Sequence, residues 1–449
     1  MKKQNHLFIS AIMIALFFNA CKKDDDNIAP AKCTISESDQ IVIDDLNSTY
    51  AHPFSPVNPA AVDDKLTPLI DYLGEANFVG MGEATHGTSE FYKMKDQLFR
   101  ALVKEKGFKA IIFELPWGNA LKVNDFVTKD IGTAKNVVGQ TIYWTYDTQE
   151  VIDLVQWIHD YNMGRADDEK IYFVGNDPQG SDFEIERNLI SGYLEQVQPD
   201  SVNSVMQNYS SLPFDLNDYS NENQSIKNAN IEGTQKVYDY FVEHKDLFVA
   251  ASSELEYEIA LMASHVVQSR EYIFRIGDFG TPRDSRMAEY SEWWQRILGE
   301  NAKVAIWAHN FHVMDGSSIN LDAMGTFLHN RHFSTYRNVG FSFGKGDFNA
   351  FVAGPDFEFV GGVRKQTVPN DICGTIGQLL SEVDGGQNYI IFSELSGPTI
   401  QYFDKEHRFL QLGAGFNIQY VNKYVNPRRI SRLFDVLIHF DETHASVRR

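Results

Sequence analysis

The sequence is short of cysteine, of positive charge and of long apolar runs, and each shortage removes a class of explanation. Three cysteines in 449 residues, Cys21, Cys33 and Cys373, cannot build a disulfide framework or a four-thiolate metal site. One bridge between Cys33 and Cys373 is a disfavoured arrangement, and neither has an activating neighbour that would make it a nucleophile. Lys and Arg number 40 against 61 Asp and Glu, a formal charge of −21. Such a surface repels phosphate backbones, so no nucleic-acid partner is expected. Beyond the N-terminus no apolar run is long enough to cross a bilayer, no internal repeat recurs, and no His-Glu-x-x-His zinc signature is present. What remains is an ordinary globular composition, 43% hydrophobic and 22% charged, over enough chain for a sizeable core.

The first residues read as a targeting segment rather than as fold. Lys2 and Lys3 precede the apolar run Leu7–Phe18, too short for a span and suited to a signal-peptide core. The run ends in Phe18-Asn-Ala-Cys21, which resembles a bacterial lipobox, so residues 1–20 are expected to be a signal peptide and Cys21 the lipidated residue. Ordinary secretion with Cys21 incidental is the alternative. The following Lys22-Lys-Asp-Asp-Asp26 resembles the surface-export signal of some bacterial lipoproteins. Removing residues 1–20 takes away only Lys2 and Lys3 and leaves a charge of −23. The expected location is the bacterial cell envelope, as a surface-displayed outer-membrane lipoprotein that meets the membrane only through its lipid anchor.

Residues 21–40 read as an acidic tether, and residues 41–449 as one α/β domain. Seven short runs, Phe78–Gly82, Lys109–Glu114, Lys170–Gly175, Lys303–Ala308, Asn338–Phe343, Tyr389–Phe392 and Phe434–Phe440, are apolar throughout rather than alternating. That is the pattern of strands covered on both faces, as in a mainly parallel sheet flanked by helices. After the first run, Phe91, Met94, Leu98 and Leu102 form one stripe of a helix that Thr88 or Ser89 can cap and Gly107 ends. Residues 120–165 are mostly helical in pattern. So are residues about 181–300, interrupted by a polar stretch near 214–230, and these read as a large helical insertion.

Four of the strand-like runs end in chemistry. The first ends at Glu83 and His86 in a glycine-loosened turn, and the second at Glu114. The third ends at Asp177 and Gln179, and the fourth at His309 and His312. Parallel neighbours would bring all four tips to one edge of the sheet, where open α/β folds bind ligands. A histidine beside a carboxylate can take a proton from water, and a second histidine can donate to an oxyanion or a leaving group. Hydrolysis by activated water therefore needs no covalent nucleophile here.

These residues also carry a resemblance. Gly82-Glu-Ala-Thr-His-Gly-Thr-Ser-Glu-Phe91, Phe113-Glu-Leu, Arg283-Asp-x-x-Met287, Trp307-Ala-His-Asn-Phe-His312 and Phe434-Asp-Val-Leu-Ile, in that order, resemble the erythromycin esterase family. The resemblance implies hydrolysis of an ester or macrolactone, erythromycin-type macrolides first, with no metal or other cofactor. It also implies that His86 activates water, that Glu83 and Glu114 support it, and that His309 and His312 complete the pocket. The family usually has arginine nine residues after the base histidine; Lys95 stands there, keeping the charge without the bidentate fork. Lys95 would support a carboxylate or the oxyanion. Trp144, in Trp144-Thr-Tyr-Asp-Thr-Gln-Glu150, is similar to a family segment and would line the pocket or stack on a sugar. Asp177 and Gln179 would bind substrate or orient a histidine, and Arg283–Asp284 reads as an internal salt bridge.

Three other readings compete. Glu83, His86, Glu114, His309 and His312 are metal-ligand types, which admits a metal-dependent hydrolase of an envelope ester or glycan. Gly340-Phe-Ser-Phe-Gly344 matches a nucleophile elbow by letter, but an elbow needs a helix next, and Lys345–Phe351 reads as a turn into another strand. Ser342 is thus expected to be a plain strand residue. A surface lipoprotein that binds a ligand without catalysis is the third.

Overall fold

Runs of consecutive Val, Ile and Phe bury both faces of a strand, which requires helices on either side of the sheet. The computed structural model of the protein describes residues 33–61, 63–141, 143–180, 183–213 and 216–449. The expected leader, Cys21 and most of the tether lie outside these residues. In chain order the strands are β1 (His52–Pro53), β2 (Phe78–Met81), β3 (Phe108–Pro116), β4 (Tyr172–Asp177), β5 (Lys303–Trp307), β6 (Tyr336–Ala353), β7 (Phe359–Val368), β8 (Gln387–Ile391), β9 (His407–Leu410), β10 (Gly415–Phe416), β11 (Val425–Arg428) and β12 (Val436–Thr443). One sheet runs in the order β1-β8-β12-β6-β2-β5-β3-β4, with β7 and β10 also paired to β6. From β12 to β4 every neighbour is parallel. β8, β1 and β7 add antiparallel pairs. The chain thus has the mainly parallel α/β fold expected from its sequence.

The four chemistry-bearing tips sit on consecutive parallel strands, in the order β2, β5, β3, β4. Register aligns Met81 with Trp307 and Trp307 with Phe113, so Glu83, His309 and Glu114 leave the sheet side by side. The helix Ser89–Lys106 follows β2 as its stripe predicts: Phe91, Met94, Leu98 and Leu102 are fully buried, and Gly107 closes it at φ 74°.

The chain divides into two compact units. One runs from Pro178 to Arg283 and is helical, with the long helices Gln224–Glu243 and Glu254–Ile276. The other comprises the described residues up to Asp177 and Asp284–Arg449, and holds every strand named above. Within the first unit Arg270 holds Glu186 by two charge-assisted bonds of 3.0 and 3.1 Å. The helix Thr281–Leu298 crosses the boundary at Arg283, where composition extends the insertion to about 300.

Three expectations are corrected. Cys33 and Cys373 form a disulfide, with Cα atoms 5.1 Å apart across 340 residues of sequence. The cause is that the expected tether is already folded at its end: a capping box at Ser36 starts the helix Glu37–Asp45. That helix is tied down by the Tyr402 hydroxyl donating to Asp39 (2.6 Å) and the Thr399 hydroxyl donating to Asp45 (2.5 Å). Lastly, Lys345–Phe351 is no turn but the middle of β6, an 18-residue strand. β12 pairs with it through Gly346 and β7 from Gly346 onward, so the ladder continues past two glycines that by themselves suggest a turn, Gly346 at φ 128°. Ser342 is a buried strand residue, its hydroxyl 2.9 Å from His439 Nδ1.

Candidate active site

The turn after β2 is compressed between two strands, and glycine is what lets it through. A Cβ on Gly82 would come within 2.2 Å of Asn310 Oδ1, and one on Gly87 within 2.3 Å of the Asn349 carbonyl. Backbone bonds hold the turn from both sides: Asn310 donates to the Glu83 carbonyl (2.9 Å), and Asn349 donates to that of Gly87 (3.0 Å).

Within this turn Glu83 is fully buried, and its two oxygens serve different partners. Oε1 lies 2.7 Å from His86 Nδ1, and Oε2 accepts from the Lys95 ammonium. Burial pushes the Glu83 carboxyl up, but the Lys95 and His86 charges outweigh it and hold it below the usual range. Burial pulls the Lys95 ammonium down to about 8, against Glu83, which pulls it up. Lys95 also lies 4.1 Å from the Trp307 ring centre, a cation–π contact. With Nδ1–H donated to a carboxylate, the basic lone pair of His86 sits on Nε2, which has no protein partner among the described residues. The ring is 14% exposed. The Tyr92 hydroxyl lies between the His86 and Thr145 carbonyls and steadies the ring's backbone.

The tip of β5 is built differently. His309 caps the short helix Asn310–Val313, and its Nδ1 accepts from the Phe311 amide (3.1 Å). Its Nε2 then donates to the Leu412 carbonyl (2.9 Å). Both nitrogens are used, and burial first, then the nearby His86, brings the imidazole down to about 3, so the ring stays neutral. The two histidine rings are 4.9 Å apart. His309 therefore forms a wall of the site and fixes Leu412; it has no nitrogen left for proton transfer. His312 faces a carboxylate at each nitrogen: Asp284 at Nδ1 (2.7 Å) and Glu114 at Nε2 (3.3 Å). Glu114 also accepts the His309 amide (3.0 Å), joining the tips of β3 and β5.

The structure thus brings together Glu83, His86, Lys95, Glu114, His309 and His312. Asp177 ends β4 fully buried; its charge, after burial itself and the charges of Glu114 and Glu83, helps raise the buried Tyr146 phenol. Gln179 belongs to the other unit. Trp144 is half-buried, edge-on to Phe351. Sequence reasoning read Arg283–Asp284 as an internal salt bridge and gave Asp284 no link to a histidine; its carboxylate holds His312 and the Met324 amide. Tyr92 and Leu412 were not singled out by sequence reasoning. Trp307 opens the motif Trp307-Ala-His-Asn-Phe-His312 but was given no role of its own. Among the described residues no group of three or more His, Cys, Asp or Glu is gathered so that it could hold a metal ion.

Comparison with known proteins places this arrangement. The sequence profile of the erythromycin esterase family matches residues 103–443, beginning downstream of the Glu83–His86 turn. YbfO of Bacillus subtilis, a hydrolase by its provisional name, is 23% identical over 314 residues, 63% of this chain and 68% of its own length. The type II erythromycin esterase of Escherichia coli is 28% identical over 125 residues, 28% of this chain and 29% of that enzyme. Among solved structures, a Bacillus cereus protein superposes with a TM-score of 0.80 at 23% identity, covering 92% of this chain and 99% of that one. An erythromycin esterase in an open conformation superposes with 0.64 at 17% identity, covering 89% and 99%. At those identities the structures speak for the fold, while the profile covers most of the sequence. The chain belongs to the erythromycin esterase family of hydrolases.

Proposed function

We propose that the protein hydrolyses a carboxylic ester or macrolactone by water activated at His86, with erythromycin-type macrolides the leading substrates. The observation that carries this is the buried relay Lys95–Glu83–His86, which orients the ring and leaves Nε2 as the acceptor. Water gives its proton to Nε2 while its oxygen adds to the ester carbonyl. Glu83 stabilises the imidazolium formed, a service worth about 10²–10⁴-fold in comparable general-base steps. Collapse of the tetrahedral intermediate breaks the C–O bond, and the leaving alkoxide takes a proton from the His312–Asp284 pair, which solvent restores as His86 releases the proton it took from water. Glu83, Glu114, Asp284 and Lys95 are positioning residues in this scheme.

An envelope location, with Cys21 lipidated, is part of the proposal, and the Cys33–Cys373 disulfide supports an oxidising compartment. The test is mass spectrometry of erythromycin incubated with the chain starting at Lys22, with and without a strong chelator. A product one water heavier, formed despite the chelator and absent with His86→Ala, is expected. Turnover that the chelator abolishes would favour the metal-dependent reading.

A further inference from the structure

The proton chemistry accounts for the buried half of the site and leaves unexplained a strip of aromatic rings beside it. Two backbone paths lead there from the catalytic turn. Thr145, whose carbonyl shares the Tyr92 hydroxyl with that of His86, follows Trp144 directly. On the other side Asn349, bonded to Gly87, is two residues before Phe351, on the same face of β6. Phe351 is bonded to the Ala414 carbonyl (2.8 Å), in the segment where Leu412 donates to Ala84 and holds His309. The flanks of the turn therefore converge on one pair of rings. Trp144 and Phe351 meet edge-on with centroids 5.7 Å apart. Phe351 in turn stacks on Phe359 at 4.5 Å and 15°.

This strip is built. Phe359 lies over Gly415, where an added Cβ would come within 2.7 Å of its ring, and Arg448 sits 5.8 Å from the Trp144 ring centre while donating to the Val363 carbonyl. Yet the strip is not closed over. Trp144 and Phe351 are only half-buried, Phe359 is 36% exposed and the adjoining Val360 61%. Fixed, adjoining apolar surface left open to water at the edge of a site marks a binding face.

We propose that Trp144, Phe351 and Phe359 form the wall that receives the apolar body of the substrate, so that the enzyme selects esters of large apolar acyl groups over short ones. The inference rests on the hydrolase reading and adds to it the class of substrate. The wall holds no proton-transfer group and joins the catalytic turn only through Thr145 and Asn349, so it would hold substrate and transition state alike, and its loss raises KM and leaves kcat unchanged.

The experiment uses two esters with one leaving group, 4-nitrophenyl acetate and 4-nitrophenyl laurate, with Trp144→Ala, Trp144→Phe and the exposed Phe359→Ala. Expected is a rise in KM for laurate of about tenfold or more in Trp144→Ala and a smaller rise in Phe359→Ala, equivalent to roughly 1.4 kcal/mol per factor of ten. The kcat should hold, the KM for acetate should rise far less than that for laurate, and Trp144→Phe should restore most of the loss. An equal change for both esters, or none, overturns the wall. Calorimetry of the non-hydrolysable anilide of lauric acid on His86→Ala reads the wall without turnover. Weaker binding when Trp144→Ala is added supports it, and unchanged or absent binding overturns it. Failure of wild type to cleave either ester, with the anilide still binding through Trp144, would overturn the hydrolase reading alone.

Discussion

His86 and His309 stand 4.9 Å apart at the ends of adjacent parallel strands, and in the proposed mechanism they take opposite roles. One has a carboxylate behind Nδ1 and a partly exposed ring; the other spends both nitrogens on backbone groups and stays neutral. Neighbouring positions at a sheet edge thus divide into a proton acceptor and a brace, and the partners of the ring nitrogens decide which is which.

Removing the acceptor should have the largest effect: His86→Ala is expected to lower kcat/KM by about 10³-fold or more, with circular dichroism unchanged. Glu83→Gln breaks both the orientation of His86 and the buried pair with Lys95. A loss of roughly 10²-fold in kcat is expected, together with about 3–5 kcal/mol of stability in urea unfolding, since a buried ammonium is left uncompensated. Asp284→Asn sharpens the comparison from the β5 side: about tenfold in kcat, most for esters with basic alkoxide leaving groups and least for nitrophenyl esters, which need little protonation. Unequal loss across leaving groups is the diagnostic. His309→Gln should cost stability, about 1–3 kcal/mol for unpaired buried backbone groups, with a smaller loss in rate.

Lys95 adds a dependence on pH. Its ammonium neutralises near 8, so turnover should decline as pH rises through that value, and Lys95→Arg should extend the active range upward. Stability moves the other way. Because the folded value lies below the ordinary 10.5, the unfolded chain binds more protons between the two, and this group's contribution to stability rises with pH across that window.

The strand tips were legible in the sequence because covered strands are uniformly apolar and a polar residue at their ends stands out; Glu83, Glu114 and His309 were found that way. The difference between the two histidines was not legible, because it depends on the Leu412 carbonyl, 103 residues from His309, and on a short helix that turns Phe311 back. Asp284 was hidden for the same reason, its partner His312 lying 28 residues on. The long β6 misled locally, since Lys345–Phe351 reads as a turn into another strand until β12 and β7 are laid beside it. The disulfide could not be read either. Its closure depends on the helix Glu37–Asp45 docking on Thr399 and Tyr402, far along the chain.

The most direct test is kcat/KM for one hydrolysed ester in wild type, His309→Gln and His86→Ala. The account predicts a loss of about 10³-fold or more in His86→Ala and a much smaller one in His309→Gln. The reverse order would assign the base to the wrong histidine and contradict the account.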